Sequence, residues 1–278
     1  CRNKQKEHIA IRAKIIILGG GTVGTAKLLI NSREFLPFLS HHVGKNIACN
    51  GSIKVAGILP EGFIEGDMLS GRSHPGMISY QFLESWGITI SAAKPLPLQL
   101  VTAAHLVLDG ETRQPAHWGE ANVELMKLYR RRMIVLYALG LTPPTAEIRR
   151  VNQNSFQPAL DIDGELRRYH KRTKKLLHAI LAKNGCKVIH DHSIDHKGKE
   201  YEDLHFATTH MVGSCRMADR KGDGVVDAHG EVFDYPGLYV TDGAAIPTSL
   251  AVNSSLTILA NAERIAAHLT QKFSRSRI

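Results

Sequence analysis

The chain has 278 residues, of which 43% are hydrophobic and 22% are charged, as in ordinary folded globular proteins. It carries 35 basic and 26 acidic residues, which gives a net charge of +9. This composition excludes a disordered polymer, and the sequence has neither an apolar run of about 18 residues nor the pattern of a secretory leader.

The positive charge is concentrated in residues 130–132, 167–175 and 272–277. Within 169–183 the basic residues can lie opposite an apolar helical face, which is typical of an ordinary surface helix. We therefore expect no nucleic-acid partner, and contact with an anionic membrane or an acidic partner remains open. The cysteines at positions 1, 49, 186 and 215 form no CxxC pair, which weakly favours a reducing, cytoplasmic compartment without disulfides or structural zinc.

The first predicted elements are a buried strand at residues 14–18, a glycine turn at 19–24 and a helix at 25–31. Residue 1 is Cys, and charged residues lead directly into this strand, so we expect the chain to begin within a longer protein. Short segments separated by Gly and Pro follow from about 51 to 114, and they predict strands of an antiparallel sheet.

Helical patterns then cover residues 121–141 and Gly164–Lys183, the second ending at Asn184 and Gly185 as a C-cap. Strands are predicted at 186–190 and at 238–241. An amphipathic helix is predicted from 253 to 269, with Asn253 or Ser254 as its N-cap.

The glycine turn at 19–24 has the spacing GxGxxG between a strand and a helix, where backbone N–H groups can bind a pyrophosphate. An NAD site also requires an acidic residue about 20 positions later, and residues 38–46 contain none. We therefore favour a turn that packs beside a cofactor bound mainly elsewhere, and an NAD(P)-binding Rossmann protein remains the alternative.

Five short motifs follow one another near the C-terminus. They are His-Met-Val-Gly-Ser-Cys-Arg-Met at 210–217, Gly-Val-Val-Asp at 224–227, Gly-Leu-Tyr-Val-Thr-Asp-Gly at 237–243, Ile-Pro at 246–247 and Val-Asn-Ser-Ser-Leu-Thr-Ile at 252–258. In this order they resemble the C-terminal signature of glucose-methanol-choline (GMC) oxidoreductases, whose members include glucose, choline and cholesterol oxidases. Residues 13–32 also resemble a strand and helix of that family's FAD domain.

The resemblance implies FAD as cofactor and oxidation of an alcohol to a carbonyl by hydride transfer. It implies that His210 accepts the hydroxyl proton, with Asn253 as its catalytic partner. The cofactor-binding residues that it implies are Gly20, Gly21, Asp242, Gly243, Asn253, Ser254 and Ser255. In the family, Asp242 and Gly243 match positions near the ribityl chain, and the two serines match those near the flavin pyrimidine edge.

The chemistry supports these residue types independently. A neutral imidazole has a reference pKa of about 6.5 and so accepts a proton near neutrality. A helix N-terminus stabilises the negative charge of a reduced flavin through its unpaired N–H groups. An Asn amide can bind the substrate oxygen without competing for the proton.

The resemblance also implies a mixed α/β fold, with a partial Rossmann-like FAD domain and an inserted substrate domain that contains an antiparallel sheet. We predict FAD-domain segments at 1–50 and 205–278 and a substrate domain at 51–204. The family's main ADP-binding βαβ unit would precede this chain, so we leave the activity of the isolated chain open. A catalytically inactive fragment that acts as a binding module is the second alternative.

Several other residues are candidates for metal binding or catalysis by their type. The cluster His190, His192 and His196 lies beside a turn and has no supporting Cys, so we predict no metal site. Cys215 is expected to be a packing residue rather than a nucleophile.

The carboxylate base that some relatives use has three candidates by location, Glu111, Glu120 and Glu124, none of which can be assigned. The alcohol, which could be a sterol or another hydrophobic alcohol, and the electron acceptor, whether oxygen, quinone or cytochrome, also stay open.

Overall fold

A five-stranded antiparallel sheet occupies the middle of the chain. The structure is a computed structural model, and it describes residues 10–63, 77–92, 106–109, 112–115, 119–120, 123, 127, 130–152, 155–161, 164–190 and 208–274. The strands are β1 Ile16–Leu18, β2 Ile53–Ile58, β3 Ile78–Ser79, β4 Ile88–Ala92, β5 Leu106–Asp109, β6 Thr112–Pro115, β7 Met133–Gly140, β8 Ala146–Arg150, β9 Phe156–Leu160, β10 Lys187–His190 and β11 Leu238–Val240. The helices are α1 Gly21–Asn31, α2 Leu83–Trp86, α3 Gly164–Lys183 and α4 Ser255–Ser274, and a 3₁₀ turn spans Gly243–Ala245.

The central sheet has the strand order β10-β2-β7-β4-β3, and every neighbouring pair is antiparallel. Helix α3 covers one face of this sheet. Ile53 and Val55 of β2 pack there with Leu177 and Leu181 of α3, and all four side chains are buried. The prediction of a mixed helix-and-sheet fold with an antiparallel sheet is therefore confirmed.

The helix predicted at 121–141 is wrong in its second half, because Met133–Gly140 is the strand β7. This segment is a continuous apolar run, Met-Ile-Val-Leu-Tyr-Ala-Leu, whose spacing fits a buried helix and a buried strand equally well. Strand pairing makes this segment a strand rather than a helix, since β7 lies between β2 and β4 and forms hydrogen bonds with both. A strand that is paired along both edges and packs against a helix can be a continuous apolar run without polar alternation.

Tyr169 of α3 holds the helix against the sheet. Its hydroxyl donates to the Gly51 carbonyl at 2.6 Å, and burial raises its pKa. A Cβ added at Gly140 would overlap the ring and hydroxyl of Tyr169, so glycine at this position permits the close approach.

We expect Gly140→Ala to lower the free energy of unfolding by about 1–3 kcal/mol, because the added methyl group displaces Tyr169 from a packed core. Denaturant unfolding of the protein that contains this chain measures the effect. Gly222→Ala is the matched control, since a Cβ at Gly222 meets no atom within 4 Å. Equal stability of the two variants would contradict the packing role of Gly140.

A second unit joins the N-terminal elements to the C-terminal ones. β1 pairs in parallel with β11, with Ile16 opposite Leu238 and Leu18 opposite Val240. Ala26 and Leu29 of α1 lie in one buried cluster with residues of the C-terminal segment, and Ile265 of α4 packs on Tyr239 of β11. The boundaries predicted at 50 and 205 stay a prediction.

The strand predicted at 14–18 forms at Ile16–Leu18, but the expectation that it is buried is wrong. Ile16 and Ile17 are 49% and 54% exposed. Among the described residues β1 pairs with β11 alone, and no described element covers its outer face. An open groove of about 450 Å³ runs beside it, with Ile16, Leu28 and Leu36 in its apolar lining.

Three classes of feature are not found in the described part of the chain. No helix there has the length and apolar character needed to span a membrane. The same residues contain no group of three or more potential metal ligands, and His192 and His196 of the proposed cluster lie outside them. Cys49, Cys186 and Cys215 are free thiols.

Candidate functional site

Residues 44–50, which we call the spine segment, hold the motif at 210–217 in place. Gly44 donates its N–H to the Ser214 carbonyl at 2.7 Å. Ala48 and Val212 exchange two backbone hydrogen bonds, at 2.9 and 3.1 Å. His210 lies two residues before Val212, so the spine segment fixes the backbone next to His210.

The last residue of the spine segment, Asn50, holds the loop that leads to Asn253. Its Nδ2 donates to the Val252 carbonyl at 2.7 Å, and its Oδ1 accepts from the N–H groups of Leu250 and Ala251, both at 2.9 Å. Only 1% of Asn50 is exposed. One buried amide thus satisfies three backbone groups immediately before Asn253.

Asn50 and Ala251 both have left-handed backbone conformations, with φ angles of 54°. Asn tolerates this region better than most residues do, whereas Ala is strained there. No local sequence pattern identifies Asn50, because its three partners lie about 200 positions further along the chain. The bend at Ala251 is therefore maintained by the hydrogen bonds from Asn50.

The side chain of His210 is half-buried. Its Nδ1 is buried without a hydrogen-bond partner, and its backbone N–H donates to Thr208 Oγ1 at 3.0 Å. Burial lowers the pKa of the imidazole, and the positive charge of Lys54 lowers it further. His210 is therefore held in its neutral form near pH 7, the form that accepts a proton.

The N-terminus of α4 follows Asn253 directly. Asn253 is exposed and Ser254 is buried, and the Ser254 carbonyl accepts the Ile258 N–H at 2.9 Å, so Ser254 is at the N-cap. The first turn of α4 contains no acidic residue. Leu256 beside it is 78% exposed. The N–H groups of this turn can thus face an anionic or electron-rich group with an apolar surface next to it.

The N-terminus of α1 differs, because Asp242 already binds it. One carboxylate oxygen of Asp242 accepts from the Gly21 N–H at 2.8 Å and from Thr25 Oγ1 at 2.5 Å. The other accepts from the Ala244 N–H at 2.7 Å. An internal carboxylate therefore occupies the position where a dinucleotide pyrophosphate would bind the glycine turn.

Gly243 lies in a tight junction beside Asp242. A Cβ there would approach Ile258 Cδ1 to 3.1 Å and Thr22 Oγ1 to 3.2 Å, while the Gly243 carbonyl accepts the Gly213 N–H at 3.0 Å. Thr22 of α1 in turn donates through Oγ1 to the Met211 carbonyl at 2.6 Å. This junction connects α1, the His210 motif and α4.

The structure thus brings most of the predicted residues into one region. Gly21, Asp242 and Gly243 lie in a single hydrogen-bonded network, and the N–H of Gly20 donates to Thr25 Oγ1 at 3.1 Å in the same turn. His210 and the loop before Asn253 are both attached to the spine segment. The cofactor and catalytic assignments of these residues stay predictions.

Two other groups of predicted residues contribute no chemistry to the described site. Cys215 is fully buried, and burial raises its pKa to about 12, as expected for a packing residue. Of the carboxylates considered as bases, Glu120 is exposed, and Glu111 and Glu124 lie outside the described residues.

Residues 145–262 match the family model of the GMC oxidoreductases. A cholesterol oxidase of Acinetobacter baumannii is 45% identical over 65 residues, which are 23% of this chain and 12% of the relative. A long-chain-alcohol oxidase of Arabidopsis thaliana is 20% identical across 96% of this chain and 37% of its own length. The chain therefore spans only a minor part of these relatives.

The fold matches that of a formate oxidase of Aspergillus oryzae, with a TM-score of 0.61 and 15% identity over 94% of this chain and 55% of that one. An FAD-dependent oxidoreductase of Chaetomium thermophilum has a TM-score of 0.53, with 16% identity over 95% of this chain and 56% of that one. The sequence match covers the motif at 210–217 and the start of α4, and the fold match extends over nearly the whole chain. Residues 145–262 are accordingly similar to the C-terminal portion of the GMC oxidoreductases.

Proposed function

We propose that the protein containing this chain is an FAD-dependent oxidoreductase that converts an alcohol to a carbonyl compound, with His210 accepting the hydroxyl proton. The observation that carries the proposal is the half-buried His210, whose buried Nδ1 has no partner among the described residues and whose backbone is fixed by the spine segment. The GMC match and the FAD-dependent structural relatives support FAD as cofactor, as the sequence predicted.

The described residues fit an FAD-type cofactor in three respects. The buried Nδ1 of His210 has no partner in the described part of the chain, so a bound group could satisfy it. The first turn of α4, which includes Ser255, offers N–H groups with no acidic residue among them. Gly243 leaves no room for a side chain at the junction beside them.

Each residue would then have a defined task. When bound, FAD supplies the acceptor for a hydride from the carbinol carbon. The imidazole of His210 takes the hydroxyl proton as the C–O bond becomes a carbonyl, so that one hydride and one proton leave the alcohol. The exposed amide of Asn253 binds the substrate oxygen. The N-terminal turn of α4, with Ser254 and Ser255, stabilises negative charge on the pyrimidine side of the flavin.

The alternative of an NAD(P) site at the glycine turn is not favoured by the contacts of Asp242. Its carboxylate accepts the Gly21 N–H and would repel a pyrophosphate at that position. The distinction between an oxidase and a dehydrogenase depends on the electron acceptor.

The test is an absorption spectrum of the purified full-length protein, scanned from about 300 to 550 nm before and after anaerobic addition of alcohols. We expect flavin bands that bleach when a substrate alcohol is added. A protein without flavin bands would contradict the proposal. A protein in which the alcohol reduces added NAD(P) instead of a bound flavin would contradict it as well.

A further inference from the structure

Lys54 is the single charged residue in the three central strands β2, β4 and β7. The remaining residues of these strands are apolar or small and polar, apart from Tyr137. A charge in the interior of a sheet is costly unless water or a partner of opposite charge compensates it. The Lys54 side chain is exposed, so water compensates its charge, and what the charge does there depends on the face of the sheet that carries it.

The register of the sheet places Lys54 on the face opposite α3. Its neighbours Ile53 and Val55 point into the core under α3, so Lys54, between them, points to the other side. Tyr137 lies directly across from Lys54 on β7, and Ser91 lies across from Tyr137 on β4. These three side chains form a polar row on one face.

The same face meets the loop that leads to Asn253. Thr89 lies two residues before Ser91 and so shares its face. The Thr89 hydroxyl donates to the Ala251 carbonyl, and Thr89 is 1% exposed. The polar row is thus carried by the sheet face that packs against residues 249–252.

Lys54 also acts electrostatically on His210. Among the described residues it is the single charged group that perturbs the imidazole. The side chain of Lys54 is exposed, yet surrounding protein removes enough water to lower its pKa. Both properties fit a solvated ammonium group near His210, on the sheet face that contacts Ala251.

We propose that Lys54 is a substrate-binding residue that holds a carboxylate of the alcohol beside His210, so that the substrate class is a hydroxy acid. The inference rests on the proposed alcohol-oxidising function. A single ammonium group matches a single carboxylate, and no described carboxylate forms an ion pair with Lys54. The neighbouring hydroxyl of Tyr137 can donate a hydrogen bond to the same group, whereas the Ser91 hydroxyl already donates to the Met77 carbonyl at 2.7 Å.

The experiment compares ω-hydroxy acids of two to twelve carbons with their methyl esters, using anaerobic flavin reduction in the full-length holoprotein. The ester removes the charge and keeps the reacting alcohol. We expect the acid to be preferred over its ester in kcat/KM for at least one chain length. In Lys54→Met this preference should fall roughly 10- to 100-fold, and Lys54→Arg should retain part of it.

Lys187→Met is the control, because Lys187 is an exposed lysine on the edge strand β10 of the same sheet. Its preference for the acid should equal that of the unaltered protein. If Lys54→Met does not fold, Lys54→Gln, which keeps a polar side chain, is measured in its place. Titration with unreactive hexanoate, followed through the flavin spectrum, gives a binding constant that should weaken by a similar factor in the Lys54 variant.

The outcomes separate the two proposals. Two results overturn the role of Lys54 and leave the alcohol-oxidising function standing. One is flavin reduction by neutral alcohols with no preference for any acid. The other is an acid preference that survives in Lys54→Met. No flavin reduction by any acid, ester or alcohol overturns that function, and the proposal for Lys54 with it.

Discussion

Replacing His210 by Gln should slow the reduction of the bound flavin by alcohol by roughly two to four powers of ten near pH 7.5. Gln keeps a polar side chain of similar size but cannot accept the hydroxyl proton. Stopped-flow absorbance of the full-length protein under anaerobic conditions measures the reaction before any electron acceptor takes part. The loss should therefore appear in the rate constant for flavin reduction itself.

The matched control is His229→Gln. His229 is exposed and stacks on His268 at 3.8 Å, and no hydrogen bond links its ring to the spine segment among the described residues, so its removal should leave flavin reduction unchanged. A His210 variant that reduced flavin at the unaltered rate would end the assignment of His210 as the proton acceptor.

The same assignment predicts how the rate depends on pH. Burial first, and the charge of Lys54 second, lower the pKa of His210 below 6.5. Because only the neutral imidazole accepts a proton, kcat/KM should be constant near neutrality and fall as the pH decreases through that lowered pKa. Lys54→Met removes a positive charge, which favours the imidazolium, so the acid limb should move to higher pH. A limb that moves to lower pH would contradict this electrostatic account.

Helices were predictable where local signals coincide. Gly164–Lys183 combines an apolar stripe with a glycine after its last turn, and Gly185 adopts the left-handed φ of 69° that a C-cap requires. The final helix is predicted from 253 and begins at Ser255, directly after the predicted N-cap Ser254. These features depend on neighbours within a few residues, so the sequence contains them.

Features that depend on distant partners were not predictable. The segment Met133–Gly140 carries the pattern of a buried element, and only its pairing with β2 and β4 makes it a strand. Lys54 would be assigned to a solvent-facing side of a strand from sequence alone. Its nearness to His210 arises from a sheet register and a loop that join residues more than 150 positions apart.

The glycine turn also combines a feature that is predictable from neighbouring residues with one that depends on a distant residue. The absence of an acidic residue at 38–46 disfavours a dinucleotide fingerprint, but the sequence does not show which group binds the turn instead. The ligand of the Gly21 N–H is Asp242, 221 residues later. A motif of six residues specifies a backbone shape, whereas its partner is set by the tertiary fold.

Asn50→Ala should lower the free energy of unfolding by about 3–5 kcal/mol, because two N–H groups and one carbonyl lose their buried partner. Ala also tolerates the φ of 54° at this position less well than Asn does. For a chain of this size the loss corresponds to a decrease in Tm of very roughly 6–15 °C. The loop before Asn253 should also lose its fixed geometry, so flavin reduction in the surviving folded protein should slow.

Two further variants separate the causes of this effect. Asn184→Ala removes an exposed Asn whose Nδ2 donates to the Ile180 carbonyl at 2.8 Å, and it should cost about 1 kcal/mol or less. Asn50→Gly relieves the left-handed backbone but loses the same three hydrogen bonds, so it should remain strongly destabilised and slow in flavin reduction. If Asn50→Gly recovered the unaltered Tm and rate, the importance of Asn50 would lie in its backbone angle. Because the amide satisfies three buried groups at once, we expect its loss to outweigh the relief of strain.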